Sequence, residues 1–235
     1  MLFSSSRINT QALRPYVALL ACVGLFPAVV SAADPIKLNG PLVYSGNVLF
    51  QQFSPDSSRV LYRADQDTNA VAEIYIVPAT GGTPVKLNGP LALNGDVLFQ
   101  QFSPDSSRVL YRATQDTNGV NEIFSVPSAG GAATKLNGPL VYGGDVSATG
   151  LQFSPDSSRV LYLADQDTNN VTEIFSVPSA GGAATKLNGP LVYGGDVYFQ
   201  QFSPDSSRVL YQADQDTDGV NEIFSVPSAG GAATK

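Results

Sequence analysis

The nine residues Ser-Pro-Asp-Ser-Ser-Arg-Val-Leu-Tyr occur four times without change, at 54–62, 103–111, 154–162 and 203–211. Successive copies are offset by 49, 51 and 49 residues. A period of roughly 40–50 residues with strand-like content restricts a chain to stacked supersecondary units that bury their apolar faces against one another. The repeat constrains architecture strongly. It names no substrate and no reaction.

Counting from Lys37, Lys86, Lys135 and Lys186 gives four repeats, 37–85, 86–134, 135–185 and 186–235. Each reads as four short strands separated by turn formers. The first ends at a shared phenylalanine, as in Val97-Leu98-Phe99-Gln100-Gln101-Phe102. Ser-Pro-Asp-Ser then turns the chain, with proline presetting the turn and Ser or Asp bonding nearby amides. Arg-Val-Leu-Tyr is the second strand, and Asp-Gln-Asp-Thr-Asn with its variants is the next loop. Glu-Ile-Phe-Ser-Val is the third strand, Pro-Ser-Ala-Gly-Gly a further turn, and Ala-Ala-Thr-Lys-Leu the fourth strand. Asn-Gly-Pro closes the unit.

The second and third strands are apolar on both faces (Val109, Leu110, Tyr111; Ile123, Phe124, Val126), as sheets sandwiched between neighbours are. The expected fold class is therefore all-β, a β-propeller of four-stranded antiparallel blades, as a small closed ring or as part of a larger propeller. A β-solenoid competes, but its coils are usually shorter and lack three tight hairpins per repeat. An unclosed arc would expose apolar blade faces at both ends, a liability to be met by closure, self-association or further sequence. Ile36-Lys37-Leu38 can serve as an outer strand that helps to latch a ring.

Phe-Ser-Pro-Asp-Ser-Ser-Arg-Val-Leu-Tyr, the Asp-rich loop, Glu-Ile-Phe-Ser-Val and Gly-Gly, in that order four times, resemble the WD-like repeat of TolB-type propellers over residues 37–235. Ser57 and its equivalents stand where that family usually has glycine, and Arg59 and its equivalents near its usual lysine. The resemblance implies six blades, whereas this chain supplies four. It also implies either a periplasmic scaffold or the propeller domain of a larger peptidase, so it does not choose a function.

Residues 1–33 stand outside the repeat. Arg7 and Arg14 precede an apolar run, Pro15 to Val30, and small residues follow at 31–33, the pattern of a cleaved secretory signal peptide. Export to the periplasm or beyond the cell is the expectation. Cys22, the single cysteine, lies in Leu19-Leu20-Ala21-Cys22, which resembles a lipoprotein box, although the apolar run continues past it. Cleavage after residue 32 or 33 leaves no thiol and no disulfide.

The chain has 13 basic and 20 acidic residues; without the leader's two arginines the net charge falls from −7 to −9. Such a surface repels phosphate backbones, so nucleic acid is an unsuitable partner. Histidine is absent, which removes the usual general base and the commonest zinc ligand. No glycine-rich loop opens a helix, and identical acids in every blade read as structural rather than as one paired-carboxylate centre. No catalytic residue is assigned.

The remaining candidate is the loop between the second and third strands. In the last repeat Asp214, Asp216, Asp218 and Glu222 occupy positions 1, 3, 5 and 9, with Gly219 at 6. This spacing resembles the calcium hairpin loops of integrin-type propellers, and a hard cation takes six to eight oxygens. Repeat one offers Asp65, Asp67, Asn69 and Glu73; repeat three offers Asp165, Asp167, Asn169 and Glu173. Thr114 interrupts the set in repeat two, leaving Asp116, Asn118 and Glu122. The competing reading is that Asp and Asn are simply good hairpin residues.

Ser-Pro-Asp acids (Asp56, Asp105, Asp156, Asp205) are expected to cap turns, and Arg59, Arg108, Arg159 and Arg208 to pack or pair locally. In repeat three, Ser147-Ala148-Thr149-Gly150-Leu151 replaces Tyr198-Phe199-Gln200-Gln201, a change that can open a pocket or add a bulge. The expected function is a non-catalytic scaffold binding a protein or another ligand at the cell envelope. An accessory propeller of a larger hydrolase and a calcium-stabilised surface scaffold are the alternatives.

Overall fold

In the computed structural model, residues 34–232 and 234 are described; the segment 1–33, on which the expectations of a signal peptide, its cleavage and a lipoprotein-like Cys22 fall, lies outside the described residues. Six-residue runs of β-branched and aromatic residues between turn formers become strands. The first blade comprises β1 (Val48–Phe53), β2 (Arg59–Ala64), β3 (Glu73–Pro78) and β4 (Val85–Lys86). The second comprises β5 (Val97–Phe102), β6 (Arg108–Ala113), β7 (Glu122–Pro127) and β8 (Thr134–Lys135). The third comprises β9 (Gln152–Phe153), β10 (Arg159–Ala164), β11 (Glu173–Pro178) and β12 (Thr185–Lys186). The fourth comprises β13 (Val197–Phe202), β14 (Arg208–Ala213) and β15 (Glu222–Pro227), with an outer bridge between Ser225 and Thr234. Within each blade neighbours in sequence pair antiparallel, giving the all-β blade architecture of a propeller.

Two details differ from the sequence reading. The fourth strand is two residues long, not five, because Leu87, Leu136 and Leu187 leave it to enter the core of the following blade. The bulge belongs to the other three repeats: register shifts between Val48 and Phe50, Val97 and Phe99, and Val197 and Phe199. In repeat three the two extra residues shorten the strand to β9, with an isolated bridge from Val146 to Ala164. Gly150 there has φ 77°, and its carbonyl accepts a 2.7 Å bond from Gln200 Nε2 of the fourth blade.

Alternation along β2 and β3 places Val60, Tyr62, Ala64, Tyr75 and Val77 on one face and Leu61, Ile74 and Ile76 on the other. Leu61, Ile74 and Ile76 pack on Val109, Tyr111, Phe124 and Val126 of the second blade. The same junction recurs between the second and third blades and between the third and fourth. On the receiving face an aromatic pair stacks at 5.2–5.3 Å between centroids in every blade, as in Tyr111 on Phe124.

Each junction also carries a fixed set of hydrogen bonds. Ile74 N–H donates to Asn88 Oδ1 at 2.8 Å, and Leu87 N–H donates to Ile74 O at 2.9 Å. Ala72 N–H donates to Asp96 Oδ1 at 2.7 Å, while Val97 N–H returns to Ala72 O at 2.8 Å. Asp56 N–H donates to Ser106 Oγ at 3.0 Å. Equivalents at residues 123 and 137, 121 and 145, 105 and 157 serve the second junction; 174 and 188, 172 and 196, 156 and 206 serve the third.

The last of these bonds explains the serine that stands in place of glycine. Ser57, Ser106, Ser157 and Ser206 all have φ between 60° and 65°, a left-handed conformation that costs a side-chain-bearing residue about 1 kcal/mol or more. At 106, 157 and 206 the hydroxyl offsets that cost by accepting the preceding blade's amide. Ser57 is exposed. In dilute protein Ser57→Gly is therefore expected to raise stability by about 1 kcal/mol. Ser106→Gly should gain nothing, since the lost bond contributes about as much. Thermal unfolding of the two variants side by side checks the difference.

Candidate functional site

In the Ser-Pro-Asp turn the carboxylate is an internal clamp. Asp56 Oδ1 accepts Ser54 Oγ at 2.5 Å, Ser58 N–H at 3.0 Å and Ser58 Oγ at 2.9 Å. The Ser54 hydroxyl, with Ser58, holds the Asp56 carboxyl at about 2, and the same bonds do so at Asp156 and Asp205. A depressed carboxylate stabilises the fold above its ordinary pKa, and that contribution fades as pH falls towards 2. The neighbouring arginines also serve the blade: Arg108, Arg159 and Arg208 each donate Nε to a β7, β11 or β15 serine hydroxyl at 2.7 Å.

The acidic loops place their residues unevenly. Position 1 ties the loop to the segment entering the same blade: Asp65 takes Asn47 N–H, Asp165 takes Asp145 N–H, and Asp214 takes Asp196 N–H at 2.6 Å, while the other oxygen of Asp165 accepts Asn170 N–H of its own loop at 3.4 Å. That bond from Asp196 holds the Asp214 carboxyl below the usual range. Positions 3 and 9 come together, but on a lysine of the outer strand. Lys86 Nζ lies 3.0 Å from Asp67 and 2.8 Å from Glu73. Lys186 likewise joins Asp167 at 3.4 Å to Glu173, and Lys135 joins Asp116 at 3.5 Å to Glu122. Asn69, Asn169 and Asp218 are exposed at the loop tips. Among the described residues no group of three or more His, Cys, Asp or Glu side chains is positioned to hold a metal ion.

Beside these loops lies a feature that the strand pattern hides. The segment leading into each blade ends in a turn, Leu-Val-Tyr-Ser-Gly before the first, Leu-Ala-Leu-Asn-Gly before the second and Leu-Val-Tyr-Gly-Gly before the third and fourth, and where the turn carries a tyrosine its side chain is in solvent. Tyr44, Tyr142 and Tyr193 are 94%, 100% and 99% exposed, and Leu93 holds the equivalent place in the second blade at 76%. The turn is closely packed. A Cβ on Gly144 would lie 2.3 Å from Asp165 O, and on Gly195 2.3 Å from Asp214 O, so only glycine lets the turn pack on its own blade's loop. Between the second and third blades, Tyr142, Pro139 and Leu140 form a cleft of about 650 Å³ with Asn118, Val120 and the Glu122–Lys135 pair. Between the third and fourth, Tyr193, Pro190 and Leu191 form one of about 670 Å³ with Asn169, Val171 and the Glu173–Lys186 pair. An apolar wall, an aromatic at the lip and an ion pair with a buried glutamate and a partly exposed lysine suit a binding surface.

Sequence reasoning missed these tyrosines because it searched for charge and for strand alternation. The readable signal was an aromatic residue placed between proline and glycine, inside a turn rather than a strand.

No known family model matches the chain, and no curated protein matches its sequence. Solved structures do match. A protein described as TolB from Agrobacterium tumefaciens superposes with a TM-score of 0.50 at 20% identity, over 78% of this chain and 62% of its own. Porphyromonas gingivalis dipeptidyl peptidase 4 gives 0.58 at 11%, over 79% and 30%. Prolyl oligopeptidase B from Galerina marginata gives 0.53 at 12%, over 80% and 30%. This chain thus spans less than two thirds of the TolB protein and under a third of the peptidases. The likeness establishes the β-propeller fold.

Proposed function

We propose that this chain is an exported, non-catalytic β-propeller that binds a protein partner in the periplasm or cell envelope, as a TolB-like scaffold. The observation that carries the reading is the set of solvent-directed tyrosines on closely packed turns. Tyrosine supplies large contact area at small entropic cost, and nothing in the fold requires an aromatic there. The alternative, an accessory propeller of a larger hydrolase, draws on the likeness to the peptidases. Export draws on the N-terminal sequence; among the described residues no helix is long and apolar enough to cross a membrane. Calcium stabilisation of the acidic loops is a separate proposal, standing on the spacing of Asp214, Asp216, Asp218 and Glu222 and their equivalents rather than on side-chain positions.

Replacing Tyr44, Tyr142 and Tyr193 together by alanine is expected to leave the melting temperature unchanged, since these side chains touch solvent. The same variant should lose at least tenfold in affinity for a partner captured from envelope extract by the unaltered protein. Equal capture by both forms would contradict the reading. For calcium, a melting temperature that rises when Ca²⁺ is added to chelated protein supports binding; an unchanged one removes it.

A further inference from the structure

The two outermost blade faces are complementary halves of a junction that the molecule already builds three times. In the fourth blade, Leu210 and Ile223 are 40% and 65% exposed. Their equivalents Leu61, Leu110, Leu161, Ile74, Ile123 and Ile174 are wholly buried. In the first blade Phe53 is 62% exposed, whereas Phe102, Phe153 and Phe202 are buried. Beside Phe53 lies an apolar cavity of about 490 Å³ lined by Leu38, Val48, Val60 and Tyr62. Across the internal junctions, the preceding blade's leucine and isoleucines pack against the residues equivalent to these.

Polar groups match in the same way. Asn39 Nδ2 donates to Gly40 O at 2.8 Å, as Asn88, Asn137 and Asn188 do to the following glycine at 3.0 Å, so Asn39 is held in the pose that receives an isoleucine amide. Gly40 N–H is fixed on Gln66 Oε1 at 3.1 Å, as Gly89 is on Gln115. Leu38 already packs on the first blade. Ser57, in the left-handed conformation of Ser106, presents its hydroxyl to solvent. On the other side, among the described residues, no asparagine covers Ile223 as Asn88 covers Ile74.

We propose that a second copy of this chain docks head to tail. The fourth blade's Leu210 and Ile223 enter the first-blade cavity of the other copy beside Phe53. Ile223 N–H binds Asn39 Oδ1, and Asp205 N–H binds Ser57 Oγ. Such an interface is heterologous, so it must close or polymerise. Two copies give eight blades, the upper end of the usual range for a propeller, and a third copy exceeds it. The assembly is therefore a two-copy ring held by two identical junctions. Ile36 and Lys37 stand before Leu38 as Val85 and Lys86 stand before Leu87, so in the ring they compete with Thr234 for the edge of β15.

Sedimentation equilibrium of the full chain over a wide concentration range tests this. A reversible monomer–dimer equilibrium without larger species is expected. Ile223→Asp and Phe53→Asp, at sites exposed in the single chain, should each retain the unaltered circular dichroism spectrum and weaken association on the order of a hundredfold, because a carboxylate would be buried without a partner. Mixing the two variants should restore a dimer through the one junction left intact, between Phe53 of the Ile223→Asp copy and Ile223 of the Phe53→Asp copy. Ser57→Ala, which adds no charge, should weaken association several-fold. A monomer at every concentration, a dimer indifferent to these substitutions, or an open-ended ladder of larger species would each overturn the two-copy ring.

Discussion

A four-stranded sheet that is apolar on both faces cannot stand in water; it needs a neighbour on each side. Everything else in this molecule follows from meeting that requirement with one repeated junction. Leu61, Ile74 and Ile76 supply the inserting face, and Tyr111 stacked on Phe124 supplies the receiving one. The linker does the locking. Its leucine enters the next core, its asparagine takes the amide of the blade just left, and its glycine amide is held on a glutamine of the blade just entered.

Because the junction is repeated, most conspicuous polar residues are committed to it or to the turns beside it. The Ser-Pro-Asp carboxylate organises its own turn, the serine two positions after proline reaches across the junction, and the loop acids grip lysines or backbone amides. Few groups are left for recognition. Those that remain are the tyrosines on the linker turns and the clefts behind them, where a side chain is exposed although the fold makes no use of it.

Much of the fold is legible in the sequence because it is local. Six-residue strands between Pro, Gly and Asx punctuation fix the hairpins, and two-faced apolar strands demand stacking. What the sequence hides depends on contacts distant along the chain. Asp67 and Glu73 read as oxygen ligands in a loop, and the spacing gives no sign that both also pair with Lys86, brought in by pairing of β3 with β4. Ser57 looks like a departure from glycine, but its equivalent Ser106 is explained only by an amide fifty residues away. Leu136 reads as the end of a strand, yet it belongs to the following blade's core. For Tyr142 the sequence does carry a sign, its place between Pro139 and Gly143 in a turn, but strand alternation does not reveal it.

One junction is made three times within the chain and left half-made at each outer face. Backbone amide hydrogen exchange at Ile74, Ile123, Ile174 and Ile223, followed at several protein concentrations, tests it most directly. Slow exchange is expected at the first three at every concentration. At Ile223 fast exchange is expected in dilute protein and slow exchange in concentrated protein, as Asn39 of a second copy covers that amide. Equal protection of all four at high dilution, or an Ile223 amide that concentration never protects, would contradict it.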